Sequence, residues 1–428
     1  MKPLFQFLNG LPTKHRDIFI LIVAYAFFAI GGSLFWAAIP ILSTDVFQLG
    51  TFSASLLLAL IGVVYILTDG PTGVILDYIG YKKGAAISVL FAGITGVISL
   101  LEPSLPMFVV SIVFFALAWN SLTLAANAYI LYNSPKDVAG RAFGSYGSFY
   151  SLGVFIATLF TGYVSGWGFE GVGWFFLVPT AITFLLILFL KSEKRNYENN
   201  LRQAMANYWN GASQWKRGWN AMKEFSPISW VRAFDGFTGY TFNSAIWLVI
   251  PLALASFANP YLPEGFALGA FEIAGIFAIL AGGVLADRYS KKRLFLGFLF
   301  FQIIATLLLG YATGNFLLFI FLAFVTTVLL GAADPALDSL LAIVDKKHDK
   351  DGTIYGFIAI LTDLGFVVGP IIGGLVYDSF SLKGVFIFLS GLLFINWVVA
   401  KILLRNFDDT KGEPLPRSPD FYLGGMVK

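Results

Sequence analysis

The sequence predicts an all-α polytopic membrane protein, with twelve transmembrane helices in two pseudo-symmetric six-helix bundles and both termini in the cytoplasm. Three observations predict this fold: a low content of charge, twelve apolar runs of spanning length, and a repeat that relates the two halves. Of 428 residues, 57% are apolar and only 12% are charged, whereas a soluble domain carries about 25% charged residues. We therefore expect an integral multi-pass protein, in the cell membrane if the source is prokaryotic.

A helix needs about 20 mostly apolar residues to cross a bilayer. The runs that meet this length are 17–42, 53–76, 84–101, 105–132, 143–165, 172–190, 228–256, 265–286, 291–312, 314–344, 354–377 and 383–404. A polar stretch after the sixth run divides them into six and six. We therefore expect an N-terminal bundle at 1–190, a cytoplasmic linker at 191–227, a C-terminal bundle at 228–404 and a cytoplasmic tail at 405–428.

The linker carries apolar residues at steps of four and three, which predicts an amphipathic helix on the inner membrane surface. These residues are Leu201, Met205, Tyr208, Ala212, Trp215, Trp219 and Met222. A helix that binds a partner protein is the alternative.

The orientation follows from the basic residues, which concentrate in cytoplasmic loops. An N-terminus inside the cell places 27 of the 28 Lys and Arg residues on the cytoplasmic side and leaves only Lys383 outside. The outer loops carry acidic residues instead, such as Asp45 and Glu170.

The two halves repeat each other at a nearly constant offset. WAAIP at 36–40 recurs as WLVIP at 247–251, and GRAFG at 140–144 recurs as GTIYG at 352–356. Asp77 recurs as Asp287. Internal repeats of this kind are typical of secondary transporters, which bind substrate between the repeats and rock one against the other.

The loop after the second helix carries a motif in both halves. The first copy contains Gly73, Asp77, Gly80, Lys82 and Lys83, and the second contains Gly283, Asp287, Arg288, Lys291 and Lys292. With these residues the chain resembles the major facilitator superfamily over nearly its whole length. Tyr78 replaces an arginine of the family pattern in the first copy, and Ser290 replaces its second glycine in the other.

The resemblance implies a gating role for this loop, in which Asp77 holds the first half against helix 11 in the outward-facing state. Asp287 is its repeat partner, and Arg141 in the repeated GRAFG segment belongs to the same gating set. A carboxylate at a helix end can be stabilised by the positive N-terminus of a neighbouring helix. The alternative is an ordinary loop whose bases hold the orientation of the chain.

Acidic residues inside the spans are the clearest functional signal, because a charge in lipid is costly. The candidates for proton coupling are Asp69, Asp334, Asp363 and Glu272. The family arrangement makes helices 2 and 11 neighbours, so Asp69 and Asp363 are expected to lie close enough to repel each other. The alternative is that each acid faces a water-filled cavity or accepts a hydrogen bond from a hydroxyl group. Arg232 and Asp235, three residues apart, are expected to form a structural pair.

In the family that the chain resembles, helices 1, 4, 7 and 10 line the central cavity. Their polar and aromatic residues form the candidate substrate site, namely Tyr25, Ser33, Trp36, Asn120, Thr123, Asn127, Asn243, Ser244 and Trp247. Trp and Asn suit sugars, whereas aromatic rings together with acids suit lipophilic cations. For Trp36 and Trp247 the alternative is the aromatic belt at the membrane interface. Apart from Arg232, which is near one end of its span, no base lies deep in a span, which argues against an anionic substrate.

The sequence predicts no enzyme, no cofactor and no metal site. Cysteine is absent, and the two histidines, His15 and His348, lie outside the spans. The expected partners are a small-molecule substrate, protons and the lipid bilayer. The near balance of charge, +3 overall, argues against nucleic acid, and we expect a monomer.

These observations predict a secondary active transporter that moves a neutral or cationic small organic molecule by alternating access. Proton coupling is expected, and export is slightly favoured over import. A sugar or metabolite importer, either a facilitator or a proton symporter, is one alternative. A transporter-like membrane sensor that binds its ligand without moving it is another.

Overall fold

The chain is α-helical because a backbone within lipid must satisfy its own hydrogen-bonding groups. The computed structural model describes residues 13–101, 103–133, 139–191, 201, 226–253, 257, 264–345 and 351–407. The helices are α1 (Thr13–Asp45), α2 (Thr51–Ile79), α3 (Tyr81–Ser99), α4 (Leu105–Asn133), α5 (Ala139–Thr158), α6 (Val164–Leu188), α7 (Pro227–Leu252), α8 (Phe266–Arg288), α9 (Lys291–Tyr311), α10 (Phe316–Asp345) and α11 (Asp351–Leu403). The predicted linker helix beyond Leu201 and the tail beyond 407 lie outside these residues.

The last of these helices contains two of the predicted spans. Its backbone leaves the helical region at Ser381, where φ is 59° and ψ is −175°. This break divides α11 into a first arm at 351–380 and a second arm at 382–403. With α1 to α10, the two arms account for the twelve predicted spans, and the all-α fold is confirmed.

The predicted gap between the fifth and sixth spans, 166–171, contains the break that the structure has. Helix α5 ends at Thr158, a short 3-10 turn follows at Thr161–Tyr163, and α6 begins at Val164. The backbone of α6 leaves the helical region at Gly168, so one short helical turn precedes its spanning part. The fifth span is shorter at its outer end than the predicted 143–165, because α5 ends at Thr158.

Eight apolar segments of the described chain are long enough to cross a membrane. Two of them, Gly144–Leu188 and Ile358–Leu403, each hold two consecutive helices. Helix α7 and the apolar part of α8, Phe266–Ala278, complete the set. The chain is therefore an integral multi-pass membrane protein.

The helices pack in matching pairs in the two halves. In the first half α1 packs on α5 and α6, α2 on α4, and α3 on α4 and α6. In the second half α7 packs on α11, α8 on α10, and α9 on α10 and α11. The halves meet where α2 packs on α11, α5 on α8, and α1 on α7. This arrangement is two six-helix bundles related by the sequence repeat.

The bundles are closed against each other at their predicted outer ends. Gly265 lies so close to α5 that an added Cβ would be 1.9 Å from the carbonyl oxygen of Thr158. The rings of Phe155 and Phe266 are 5.7 Å apart across the same contact. These residues lie at the end of α5 and the start of α8, which the orientation of the chain places outside.

Ser381 provides a test of backbone strain at the break in α11. It adopts the conformation that Gly168 adopts in the first half, a region that costs a residue with a side chain about 1–3 kcal/mol. We expect Ser381→Gly to raise the free energy of unfolding by about 1 kcal/mol, since glycine removes the strain at a smaller entropic cost. Thermal unfolding of the purified protein in detergent would measure this.

The matched control is Ser379→Gly, two residues earlier and within the helical part of the first arm. There glycine should lower stability slightly. Equal effects of the two substitutions would contradict the assignment of strain to Ser381.

Candidate functional site

Two carboxyl groups meet at the contact between the bundles. Asp69 on α2 and Asp363 on α11 lie within hydrogen-bonding reach of each other, which confirms the proximity predicted from the sequence. Asp363 is only 9% exposed. Two carboxylates this close in a medium of low dielectric cannot both carry a charge without a large repulsion. The pair is therefore suited to holding a proton between the bundles.

Polar residues of the first bundle hold Asp69 in place. The Asn120 amide on α4 donates a hydrogen bond to Asp69 Oδ1 and lies 3.1 Å from Thr68 Oγ1. The Thr68 hydroxyl in turn donates to the Val64 carbonyl oxygen at 2.6 Å. Asn120 was predicted as a cavity residue, and the structure joins it to the acid pair.

Aromatic rings surround the acid pair from both bundles. Phe366 lies one turn after Asp363 on α11, and its ring contacts Trp36 at 5.8 Å, Tyr65 at 6.0 Å and Tyr240 at 4.4 Å between ring centroids. Trp36 also faces Trp247 at 6.2 Å. Trp36 and Trp247 are 8% and 7% exposed, so they pack between the bundles rather than in an interfacial belt.

A second aromatic group lies within the first bundle, towards its predicted cytoplasmic side. The Tyr25 hydroxyl is 2.6 Å from Thr123 Oγ1 on α4. The Tyr25 ring contacts Tyr146 at 4.7 Å and Tyr150 at 5.8 Å, both on α5. Tyr25 and Thr123 were predicted as cavity residues on different helices, and the structure brings them together.

The fourth candidate acid, Glu272, lies apart from the pair, beside a small cavity. The cavity has a volume of about 70 Å³ and lies between α7, α8 and α10. Its walls include Phe242, Asn243, Trp247, Phe271, Glu272 and Thr327. The Glu272 carboxyl group lies within hydrogen-bonding reach of the Trp247 indole. Two residues predicted for the cavity, Asn243 and Trp247, thus share a site with a predicted coupling acid.

Asp334 belongs to an ion-pair network of the second bundle. Arg232 Nε lies 2.8 Å from Asp338 Oδ1, while its Nη1 lies 3.5 Å from Asp334 and 3.8 Å from Asp235. Asp235 also accepts a 2.8 Å hydrogen bond from the Asn396 amide. The expected pair of Arg232 and Asp235 is present, but the shortest contact of Arg232 is with Asp338 on α10.

The repeated loops are built differently in the two halves. Gly80 links α2 to α3 with a φ of 89°, a conformation that favours glycine. Ser290 has a φ of −58° at the corresponding position, and its hydroxyl accepts a 3.3 Å hydrogen bond from the Arg293 amide at the start of α9. A helix cap thus takes the place of the second glycine of the motif.

One lysine of each loop, Lys82 or Lys292, binds the end of a distant helix in its own bundle. Lys82 Nζ donates to the carbonyl oxygens of Leu188, at 2.9 Å, and Leu190, at the end of α6. Lys292 Nζ donates to those of Arg405, at 3.2 Å, and Phe407, at 2.9 Å, after the second arm of α11. A cation is favourable at these carbonyl groups because they form the negative end of the helix dipole.

The remaining gating residues are placed as follows. Asp77 accepts a 2.9 Å hydrogen bond from the Tyr81 hydroxyl, whereas its contact with the start of helix 11 stays a prediction. Lys83 and Arg288 are exposed, and an added Cβ at Gly73 would meet no atom within 4 Å. Gly283 lies in α8. The side chains of Asp287 and Arg141 lie outside the described part of the structure.

Three predicted cavity residues are separate from these groups. The Ser244 hydroxyl lies 3.1 Å from the Gly365 carbonyl oxygen and joins α7 to α11. Ser33 is buried, and Asn127 is half-buried. The sequence analysis in turn missed Phe366, Tyr65 and Tyr240. For Phe366 a signal existed, since it lies three residues after Asp363 and therefore on the same helix face.

The comparisons with known proteins agree with this architecture. The profile of the Major Facilitator Superfamily matches residues 21–261 and 232–421. An uncharacterised MFS-type transporter from Methanocaldococcus jannaschii is 26% identical over 181 residues, which cover 42% of this chain and 45% of that relative. The chain thus matches less than half the length of that relative.

Several solved structures share the fold. A bacterial homologue of the human lysosomal transporter Spinster, in an inward-facing and occupied conformation, has a TM-score of 0.71 at 15% identity. The alignment covers 93% of this chain and 98% of that one. A D323A variant of the nucleoside transporter NupG has a TM-score of 0.69 at 14% identity, covering 90% of this chain and 99% of that one.

The lysine contacts predict that Lys82 stabilises the folded protein and that its neighbour Lys83 does not. Lys82→Met should lower the free energy of unfolding by about 1 kcal/mol, because two carbonyl groups at the end of α6 lose a charged donor. Lys83→Met removes the same charge from an exposed neighbour and should have almost no effect. Thermal unfolding of both variants measures the difference, and equal losses would show that the helix-end contact contributes nothing.

The ion-pair network predicts a larger effect. Arg232→Gln should destabilise the protein by about 3 kcal/mol, since it leaves carboxylates in the bundle without their cation. The value is at the low end of the range for buried pairs because a quarter of the Arg232 side chain is exposed. Adding Asp334→Asn and Asp338→Asn should restore part of the loss. If Arg232→Gln unfolds like the control Arg288→Gln, whose parent side chain is exposed, the network is not stabilising.

Proposed function

Since the chain belongs to the Major Facilitator Superfamily, we propose that it exchanges protons for a small organic cation across the membrane by alternating access. The direction that we propose is export of the cation. The family and the fold indicate a transporter rather than an enzyme. The observation that carries the proposal is the contact between Asp69 and Asp363.

The acid pair supplies a physical link between proton binding and rocking. The two carboxyl groups belong to different bundles, so any motion that separates α2 from α11 also separates them. While they are together, mutual repulsion favours a proton shared between them. Once they are apart and in contact with water, each carboxylate is solvated and the proton can leave. Proton uptake and release thereby follow the conformational cycle.

The chemistry of the surrounding side chains favours a cation. Rings of Trp36, Tyr65, Tyr240 and Phe366 surround the pair, and aromatic faces attract organic cations. Arg232, which lies on α7 with Tyr240, is already paired with three carboxylates. An anionic substrate would find no unpaired base among these groups.

Export follows from competition for negative charge. A proton on the acid pair removes negative charge from the bundle interface that a cation enters, so occupation by one disfavours the other. Such competition produces exchange rather than co-transport. Where the proton gradient is directed inward, proton entry then drives the cation outward.

The proposal predicts which carboxyl groups transport requires. The experiment measures uptake of ethidium, a permanent cation, into proteoliposomes under an imposed pH gradient, with the membrane potential clamped by valinomycin and equal potassium. Asp69→Asn and Asp363→Asn should each lower gradient-driven uptake at least tenfold, because an amide cannot bind and release a proton. Exchange of labelled for unlabelled ethidium without a gradient should persist.

The matched control is Asp378→Asn, an exposed aspartate at the predicted outer end of the first arm of α11. It should transport like the original protein. Gradient-driven uptake that survives in the Asp69→Asn and Asp363→Asn variants would overturn the assignment of the pair. Absence of ethidium movement by folded original protein would direct the search to neutral substrates.

A further inference from the structure

The cavity beside Glu272 is a second polar site, separate from the acid pair. Glu272 contacts Trp247 of α7, whereas Phe366, three residues after Asp363, contacts Tyr240, which lies seven residues before Trp247 on the same helix. At 1.5 Å per residue along α7, the two acids differ in depth by roughly 10 Å. A site for protons and a site for substrate can therefore occupy different levels of the same bundle interface.

We infer that this cavity binds the ammonium head of an alkylammonium substrate, an assignment that rests on the proposed cation transport. Three kinds of group line it. Glu272 supplies a carboxylate, Asn243 and Thr327 supply neutral oxygen acceptors, and Phe242, Trp247 and Phe271 supply aromatic rings. This set matches a cation that has N–H donors and carbon next to the charge.

The hydrogen bonding of Glu272 leaves room for such a ligand. The Trp247 indole has one N–H and can donate to one carboxylate oxygen of Glu272. The carboxylate has two oxygens and about four acceptor positions. The Trp247 contact therefore orients Glu272 and leaves acceptor positions for a donor in the cavity.

The size of the cavity limits what can enter. One water molecule needs about 10–15 Å³ of such space, so a volume of about 70 Å³ holds a group of only a few atoms. Complete pockets for drug-sized ligands measure about 300–1,000 Å³. The cavity is therefore a subsite for a head group, and the rest of the substrate must lie outside it.

The position of the cavity connects it to the bundle contact. Gly275, one turn after Glu272 on α8, lines the cavity, and a Cβ added there would lie 3.2 Å from the Ser151 hydroxyl on α5. Trp247 also faces Trp36 of the first bundle at 6.2 Å. An ammonium group held at Glu272 would thus lie beside two helices that move relative to α8 when the bundles rock.

The test compares a charged ligand with its neutral counterpart in the purified full-length protein in nanodiscs. Benzylammonium carries the proposed head group, and benzyl alcohol has a similar shape without the charge. Affinities come from ligand-induced shifts of thermal unfolding. We expect Glu272→Gln to weaken benzylammonium binding at least tenfold and to change benzyl alcohol binding less than twofold. The amide still accepts the Trp247 hydrogen bond, so the fold should be kept.

Two controls separate this inference from other roles. Glu170→Gln, at an exposed glutamate of α6, should bind benzylammonium like the original protein. Benzyltrimethylammonium, which has the charge but no N–H donor, should bind more weakly than benzylammonium.

Three results would overturn the subsite: unchanged benzylammonium affinity in Glu272→Gln, an equal loss for both ligands, or no binding to the original protein. An equal loss would mean that Glu272 only supports the structure around Trp247. The binding assay is independent of flux. Selective loss in Glu272→Gln together with gradient-driven uptake that survives in Asp69→Asn and Asp363→Asn would refute the proposed proton coupling and keep the cation site.

Discussion

Close approach between helix backbones is the constraint on which this molecule depends. Within lipid no hydrophobic force draws helices together, so packing relies on residues small enough to admit a neighbour. On α11 a Cβ at Gly365 would lie 2.5 Å from the Phe237 carbonyl oxygen, and one at Gly369 would lie 2.5 Å from that of Thr241. Helix α11 therefore packs directly on α7. This packing places Asp363 and Phe366 at the contact with α2, where a Cβ added at Gly62 would lie 2.9 Å from the Cβ of Phe366.

The bundles contain two different solutions to the cost of buried charge. Around Arg232 the carboxylates have a cation beside them, and the network ties α7 to α10 within one bundle. Asp69 and Asp363 have an amide donor from Asn120 but no cation among their described contacts. A shared proton balances the second arrangement, which spans the contact between the two bundles. In the proposed cycle the Arg232 network is therefore a permanent structural contact, whereas the acid pair changes with occupancy.

The spans, the orientation and the repeat could be predicted from the sequence, because each can be read from the composition and order of segments along the chain. The proximity of Asp69 and Asp363 could also be predicted, since the family that the chain resembles places helices 2 and 11 together. The contacts of Arg232 with α10 and of Glu272 with α7 could not be predicted, because they depend on the register of α7 against α10 and α8, which no spacing within one helix reveals. The end of α5 at Thr158 rather than 165 was also not predicted, and this end packs against Gly265, which is distant in the chain.

Lys82 and Lys292 make each half of the molecule a closed unit. Each lysine joins the start of the third helix of its bundle to the end of the sixth, and neither contact uses a residue of the other half. The closure of one bundle therefore does not depend on the other. A change in the contact between the bundles leaves both closures in place, so each bundle can shift as one body.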